Sequence, residues 1–383
     1  MMRTEVRKMA EYSYDIVIIG AGPAGMGCAI PLVKERASVC VIDRATFPRN
    51  KTCAGLVTGK TYRLIEAIFD GKVSDGLFCF TSGAVKLFKK TELLVEAGLR
   101  HSVRLVNRRE FDNALVEEYK HLGGVIYEGE SGIRIDYDHN CVTLKNGDTI
   151  RYHYILFADG ALSMAHHLLK TDKRNLAFGM EAYIPAEKLY TDSVDLYFGY
   201  LDTGYAWVFP HGDTVCVGLA DLYDRKTDYR GLIERFVSDL GIDPKECDYI
   251  GAYLPYGTVI PQEKLGDNIL LLGDAGGFTD PISGEGLYMA LQSGAYAAKA
   301  LIGSAHPKKA YLDSMSAIIR TVKDGKKVQK TFYSSPIHKL FLKKVVGKSK
   351  LVSFFFEEMV EDYRCEYRDI RRLYTDYKNS EKE

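Results

Sequence analysis

Three glycine-punctuated turns hold the residue types from which chemistry could be built, and the first is Gly20-Ala21-Gly22-Pro23-Ala24-Gly25. Glycines at this spacing permit a tight turn and let the backbone approach a pyrophosphate, whose charge then rests on the positive end of the following helix. The apolar run at residues 14–19 reads as a buried strand, and helical spacing follows the turn to residue 33. A second strand at residues 38–42 ends in Asp43, 23 residues beyond Gly20, where a carboxylate can accept hydrogen bonds from an adenosine ribose. Arg44 joins this candidate set. The unit binds a dinucleotide but does not by itself separate FAD from NAD.

The second turn does separate them. Leu271-Leu272-Gly273-Asp274-Ala275-Gly276-Gly277 is followed by Asp280-Pro281-Ile282-Ser283-Gly284-Glu285-Gly286-Leu287. An aspartate at the end of a buried strand can hold a ribityl hydroxyl. The segment behind it aims a helix N-terminus at a flavin, whose reduced form carries negative charge that the helix dipole stabilises. Asp274, Pro281, Gly284, Glu285, Gly286 and Leu287 are therefore candidate contacts, and the implied cofactor is FAD. The third turn, Phe157-Ala158-Asp159-Gly160-Ala161-Leu162-Ser163, adds Asp159 and Gly160.

Together the three turns resemble the FAD fingerprint, DG motif and GD motif of the para-hydroxybenzoate-hydroxylase-like flavoproteins, over residues 14–301. The DG motif departs from its usual form, with Phe157 where glycine is common. Within that superfamily the chain is more similar to the geranylgeranyl reductase family. Lys51-Thr52-Cys53-Ala54-Gly55-Leu56 looks like that family's Lys-x-Cys-Gly-Gly segment, with Ala54 replacing the first glycine. Arg108 to Asp112 looks like its Arg-x-x-Phe-Asp helix start. Tyr205-Ala206-Trp207-Val208-Phe209-Pro210 matches its Tyr-x-Trp-x-Phe-Pro signature, with Gly218 beyond, and the PISGEGLYMALQSG run at residues 281–294 is closer to the reductases than to the hydroxylases.

The resemblance implies reduction of isolated double bonds in a prenyl chain or isoprenoid lipid by reduced FAD, with electrons from NAD(P)H or from a ferredoxin or flavodoxin. An isolated alkene has no carbonyl to polarise, so the site must protonate one carbon, present the other to a hydride donor and exclude water. Cys53 and Ala54 match the family's segment at the flavin, as Arg108 matches its helix start, and Cys53 is the candidate catalytic residue. A thiol titrating at about 8.5 is a poor acid for an alkene. That leaves Cys53 either positioning the reactants or packing in a crowded turn. Tyr205, Trp207 and Phe209 alternate along a strand, so their rings share one face. With Pro210 they are the candidate substrate contacts, as walls for an apolar chain or as an aromatic core stripe. His211 is expected in a solvent-exposed turn rather than as a proton donor. An FAD-dependent monooxygenase and a non-catalytic flavin-bound lipid carrier are the alternative functions, while a halogenase would need a Trp-x-Trp-x-Ile-Pro segment that the chain lacks.

The fold that must position these residues is α/β: a Rossmann-like FAD-binding domain, an inserted and mostly antiparallel β substrate domain, and a C-terminal helical extension. The expected boundaries are 12–75, 106–175 and 263–305 for the first, 76–105 and 176–262 for the second, and 306–383 for the third. Residues 108–122 read as a helix, 125–150 as a strand and a hairpin turning at Asn146-Gly147, and 229–240 as an amphipathic helix. Residues 268–272 return as a buried strand before a small-residue helix at 287–301.

Composition narrows the partners. Lys plus Arg and Asp plus Glu both number 51, so there is no electrostatic case for nucleic acid. Eight cysteines lie scattered, with no Cys-x-x-Cys pair and no nearby histidine at zinc spacing, which points away from a metal and towards a reducing, cytoplasmic setting. Residues 16–33 follow Arg3, Arg7 and Lys8 like a signal peptide, but Asp15 and four glycines interrupt the pattern, and no stretch approaches the roughly 20 apolar residues of a membrane span. Residues 323–350 carry nine lysines against Asp324, interleaved with Leu340, Phe341, Leu342, Val345 and Val346. A helix over 323–356 could rest on an anionic membrane, or be solvated and covered by the mixed-charge residues 357–383.

Overall fold

Apolar runs of two kinds build two sheets of different character. In the computed structural model, which describes residues 9–169, 176–333, 340, 342–344, 346–358, 367, 375, 377 and 379, the continuous runs make a parallel sheet. Its strands are β1 (Glu11–Ile19), β2 (Val39–Ile42), β6 (Val125–Tyr127), β9 (Thr149–Phe157) and β15 (Ile269–Leu271), with β7 (Arg134–Asp136) and β8 (Cys141–Thr143) added antiparallel at one side. β1 begins at Glu11, before the apolar run, because residues 11–14 continue the backbone ladder with β9, where the Glu11 carboxylate also accepts from Arg151 Nε. β9 is shared along one edge: residues 149–151 pair with β8, and residues 155–157 pair with β15. Gln262 closes the outer edge of β15. Its amide donates to the Leu271 carbonyl at 2.9 Å and accepts from the Leu271 N–H at 2.7 Å, as a further strand would.

Helices α1 (Pro23–Lys34), α2 (Gly59–Ile68) and α3 (Arg108–His121) share a core with one face of this sheet. The alternating runs make the second sheet: β3 (Leu56–Val57), β4 (Phe80–Lys89), β5 (Glu92–Leu105), β10 (Leu176–Pro185), β11 (Val194–Phe198), β12 (Tyr205–His211), β13 (Thr214–Leu222) and β14 (Ile250–Pro255). Its order is β14-β10-β13-β12-β11-β4-β5-β3, antiparallel throughout except for β11 beside β4. Helix α4 (Tyr229–Asp239) covers one face, setting Ile233, Phe236 and Val237 among Ala182, Val208, Val217 and Leu219. The other face turns Trp207, Phe209 and Cys216 towards Ala54 and Leu56.

Helix α5 (Leu287–Gly303) returns the chain to the first core, where it meets α1 at backbone contact. A methyl group on Gly294 would lie 2.4 Å from the Ala24 carbonyl oxygen, and one on Gly27 would lie 3.0 Å from the Leu291 oxygen. Helices α6 (Pro307–Ser314) and α7 (Ser316–Phe332) follow. Tyr311 is fully buried with its hydroxyl donating to the Leu271 carbonyl, and Ile318 and Val322 face the core. Helix α8 (Ser349–Phe356) crosses the β4–β5 hairpin: Leu342 and Val352 pack on Val85, Leu87 and Val95, and Ser353 Oγ donates to the Gly98 carbonyl.

Part of the tail's apolar side thus faces the protein itself. Leu342, Leu351 and Val352 are turned into the protein, leaving Leu340 and Val346 exposed among exposed lysines, while Phe341 and Val345 fall outside the described residues. Most of residues 357–383 lie outside them too, as do Arg3, Arg7, Lys8 and Cys365. The other seven cysteines are free thiols. No helix among the described residues is long and apolar enough to cross a membrane.

The α1–α5 contact can be tested directly. Gly294→Ala should destabilise the protein by about 1–3 kcal/mol in urea titrations, although alanine is the better helix former by about 1 kcal/mol. Gly303→Ala, where nothing lies within 4 Å of the added carbon, should be neutral or mildly stabilising. Equal effects at the two positions would show that close packing is not what Gly294 provides.

Candidate functional site

The parallel strands end in the three turns, and the backbone there requires glycine. Gly20 has φ +106°, and a side chain on it would meet the Ala158 carbonyl at 2.5 Å; one on Gly25 would meet the Gly20 oxygen at 1.9 Å. Gly22 precedes α1 in extended conformation with Pro23 at the first helical position, and Ala24 packs inside the first turn. No side chain caps α1, and none caps α5, whose first residues are Gly286 and Leu287. Two helix N-termini thus lack a side-chain cap and carry positive partial charge, held side by side by the close helix packing. Ser293 ties α5 to the second turn by accepting from the Gly273 N–H at 2.9 Å.

Carboxylates surround this cradle. Asp43 is buried beyond β2, with one oxygen accepting from Ala21 N–H at 2.7 Å and the other from Ala45 N–H at 2.8 Å. Asp159 accepts from Met164 N–H through Oδ2, while its Oδ1 is buried with no partner in hydrogen-bonding geometry. Burial pushes its pKa up, and Gly160 follows it at φ +89°. Asp274 accepts from Thr279 Oγ1 at 2.9 Å and lies beside Gly286. Glycine turns, uncapped N-termini and an orphaned buried oxygen fit a dinucleotide such as FAD.

The other predicted contacts have partners within the protein or face outward. Arg44 is exposed. Glu285 uses its carboxylate on α2, pairing with Lys60 Nζ at 2.6 Å and accepting from Thr58 Oγ1 at 3.0 Å. Gly284, at φ +71°, and Pro281, whose carbonyl accepts from the Gln329 amide at 2.5 Å, shape the loop before α5. Arg108 is buried and grips Asp112 through Nε at 2.8 Å and Nη2 at 2.9 Å. Burial opposes its charge, but Asp112 and the neighbouring Cys53 hold its pKa above the usual range. Arg49 reaches the same Asp112 at 3.2 Å and passes over Gly22, with Nη2 3.5 Å from where a side chain there would begin. The motifs gave no hint of Arg49; its position at the pyrophosphate turn appears only in three dimensions.

The inner face of the second sheet carries the signature's aromatic rings. Tyr205, Trp207 and Phe209 do share one face, and the Tyr205 hydroxyl donates to the Ser283 carbonyl, linking this sheet to the loop before α5. Pro210 does not belong with them. Strand alternation puts it with Ala206 and Val208 on the α4 side, opposite Val215, so it cannot line a site on the Trp207 face. His211 also corrects the expectation. It is the last residue of β12, only 4 % exposed, and its Nε2 donates to the Ala54 carbonyl at 2.9 Å, while Nδ1 has no partner. Burial lowers its pKa and favours the neutral ring.

Cys53 and Ala54 face the inner side of the second sheet. Cys53 Sγ accepts weakly from Gly55 N–H at 3.5 Å, and the Cys53 N–H donates to Glu181 Oε1 at 3.0 Å. Glu181 is wholly buried on β10, and burial pushes its pKa up to about 7, opposed by the Cys53 N–H, Lys51 and Arg108. No motif marked it: a glutamate in a strand reads as surface unless its face is known. Among the described residues no cluster of three or more His, Cys, Asp or Glu could hold a metal ion.

Residues 14–195 match the family model described as pyridine nucleotide-disulphide oxidoreductase. The chain is 30% identical over 299 residues to an uncharacterized protein of Methanosarcina barkeri, covering 76% of this chain and 75% of that one. It is 28% identical over 307 residues to a geranylgeranyl diphosphate reductase of Rhodobacter capsulatus, covering 75% and 74%. Among solved structures, a geranylgeranyl bacteriochlorophyll reductase-like protein from Thermoplasma acidophilum superposes with TM-score 0.77 at 16% identity, over 95% of this chain and 100% of that one. It shares the parallel sheet joined to a curled antiparallel one.

Glu181 makes a prediction about pH. Its ordinary value is 4.5 and its folded value about 7, so as pH rises the unfolded chain loses this proton first. Glu181 therefore supports the fold fully below that interval and costs stability as pH climbs through it. Wild type should lose about 1–3 kcal/mol relative to Glu181→Gln between about pH 5 and pH 8 in urea titrations. A pH-independent difference would contradict the burial of a titrating carboxyl.

Proposed function

Because the chain belongs to the geranylgeranyl reductase family of FAD-dependent oxidoreductases, we propose that it binds FAD and reduces isolated carbon–carbon double bonds of a prenyl chain or isoprenoid lipid. The observation that carries the substrate reading is the aromatic face of Tyr205, Trp207 and Phe209, joined to the loop before α5 by the Tyr205 hydroxyl. A long apolar chain offers no hydrogen bonds, so shape and aromatic burial must hold it. FAD held in the cradle would supply the electron pair as a hydride, with NAD(P)H or a ferredoxin or flavodoxin as the electron source.

The chain's own residues supply the rest. Gly20, Gly22 and Gly25 admit the pyrophosphate to the N-terminus of α1, Arg49 neutralises it, and Asp43 orients the ribose. Asp274 and the α5 N-terminus receive the flavin end, where the helix dipole favours negative charge. Trp207 and Phe209 exclude water and align the alkene, and Tyr205 fixes the loop at Ser283. Cys53 faces the inner side of the second sheet, where it positions the reacting carbons.

Anaerobic incubation of the photoreduced protein with geranylgeranyl lipids should yield product two hydrogens heavier for each bond reduced, read by mass spectrometry. Trp207→Ala and Cys53→Ser should each lower turnover by at least about tenfold with flavin content unchanged. Product formed only with oxygen would make the protein a monooxygenase, and lipid retained without conversion would make it a carrier.

The same reading takes Leu340 and Val346, exposed among Lys343, Lys344, Lys348 and Lys350, as a contact with the anionic bilayer that holds the substrate. Leu340→Glu with Val346→Glu should release the protein from phosphatidylserine vesicles in sedimentation assays. Equal partitioning of variant and wild type would remove the membrane contact and leave the reductase reading intact.

A further inference from the structure

Glu181 is a wholly buried carboxyl that no sequence motif marks. It stands opposite Gly218 on β13, and Gly218 stands opposite Trp207 on β12, so the three occupy one row across the sheet. The Trp207 ring lies over Gly218, since a side chain there would meet Cζ2 at 2.3 Å. In the neighbouring row Tyr183, Cys216 and Phe209 are aligned in the same way. Glu181 is thus set into the sheet face that confronts the Cys53 turn.

That turn is held from the sheet by two side chains acting on adjacent residues. Glu181 Oε1 accepts from the N–H of Cys53, and His211 Nε2 donates to the carbonyl of Ala54. The second carboxylate oxygen of Glu181 lies 3.8 Å from Cys216 Sγ, which donates to it. The charged and titratable groups facing Glu181 are Tyr183 on its own strand, Cys216 on β13, Lys51 and Cys53 on the turn, and Arg108 on α3.

We propose that Glu181 is a positioning residue for Cys53: from inside the sheet its carboxyl grips the Cys53 peptide, and gain or loss of one proton there resets how the thiol is held. The inference rests on the reading that Cys53 belongs to the reaction site. An ionised Glu181 accepts a charge-assisted bond from the Cys53 N–H and adds negative charge beside the thiol. A protonated Glu181 accepts more weakly and leaves the neighbourhood neutral. The folded value of about 7 means that both states are populated near neutrality. The proton is drawn from water and returned to it.

The test is alkylation of Cys53 by iodoacetamide in the full-length protein, read by peptide mass spectrometry from about pH 5 to about pH 9. A carboxylate this close opposes the negative charge an attacking sulfur must carry, so wild type and Glu181→Gln should react alike at low pH and separate through neutrality. At the alkaline end the Gln variant should react up to about tenfold faster. Cys141, partly exposed on β8, serves as the internal control and should not change. Superimposed Cys53 profiles would overturn the proposal. Should Glu181→Gln fail to fold, infrared pH titration of the wild type should show a buried carboxylic-acid band vanishing through neutrality, shifted in Glu181→Asp; no such band would be equally fatal. Turnover keeps the two readings apart. Full activity in Cys53→Ser with separated alkylation profiles would remove Cys53 from the reaction and leave its coupling to Glu181. An inactive Cys53→Ser with superimposed profiles would remove only Glu181.

Discussion

Two helices in backbone contact are the constraint from which the site follows. α1 and α5 approach so closely that Gly27 and Gly294 cannot carry a side chain without displacing main-chain atoms. Their N-termini are consequently fixed relative to each other, although the segments that lead into them are more than 250 residues apart. One N-terminus follows the glycine turn after β1, and the other follows the loop after β15. The paired parallel strands β1, β9 and β15 bring both turns to the same edge. A ligand with a phosphate at one end and a chargeable ring at the other meets a preformed frame.

Polar contacts help to register the second sheet and the C-terminal elements to that frame, beside the apolar packing of Val57 on β3 into the first core. The Tyr205 hydroxyl reaches the Ser283 carbonyl, Gln329 reaches the Pro281 carbonyl, and Tyr367 donates to Asp280, so β12, α7 and one residue near the C-terminus all hold the loop before α5. From the other side, Glu181 and His211 hold the Cys53 turn. Polar bonds at these points suit a junction between layers, since each fixes a direction as well as a distance.

Much of this was legible in the chain. The three turns could be read because glycine at fixed offsets after an apolar strand answers a local backbone need, and Asp43 and Asp274 follow from the same local logic. Trp207 and its neighbours could be read because alternation is local too. Pro210 was placed with them by its position in a signature, and parity along the strand sets it on the opposite face. Arg49 and Glu181 went unmarked and His211 was expected in solvent, because their roles depend on partners at Asp112, Cys53 and Ala54 brought near by tertiary packing. The tail was ambiguous for a similar reason: an apolar, basic segment reads the same whether its apolar side meets lipid or, as Leu342 and Val352 do, a β-hairpin.

Arg49, Asp112 and Arg108 form a trio of two cations sharing one carboxylate, largely withdrawn from water beside the first glycine turn. Such a group carries one positive charge in excess, and holding it in a partly dry place is costly until an anion completes it. Any phosphate seated at Gly22 would therefore act as a structural member of the protein as well as its passenger. Loading would lengthen the lifetime of the folded chain in proportion to ligand supply. Abundance in a cell would then track the availability of the ligand, with no dedicated sensor.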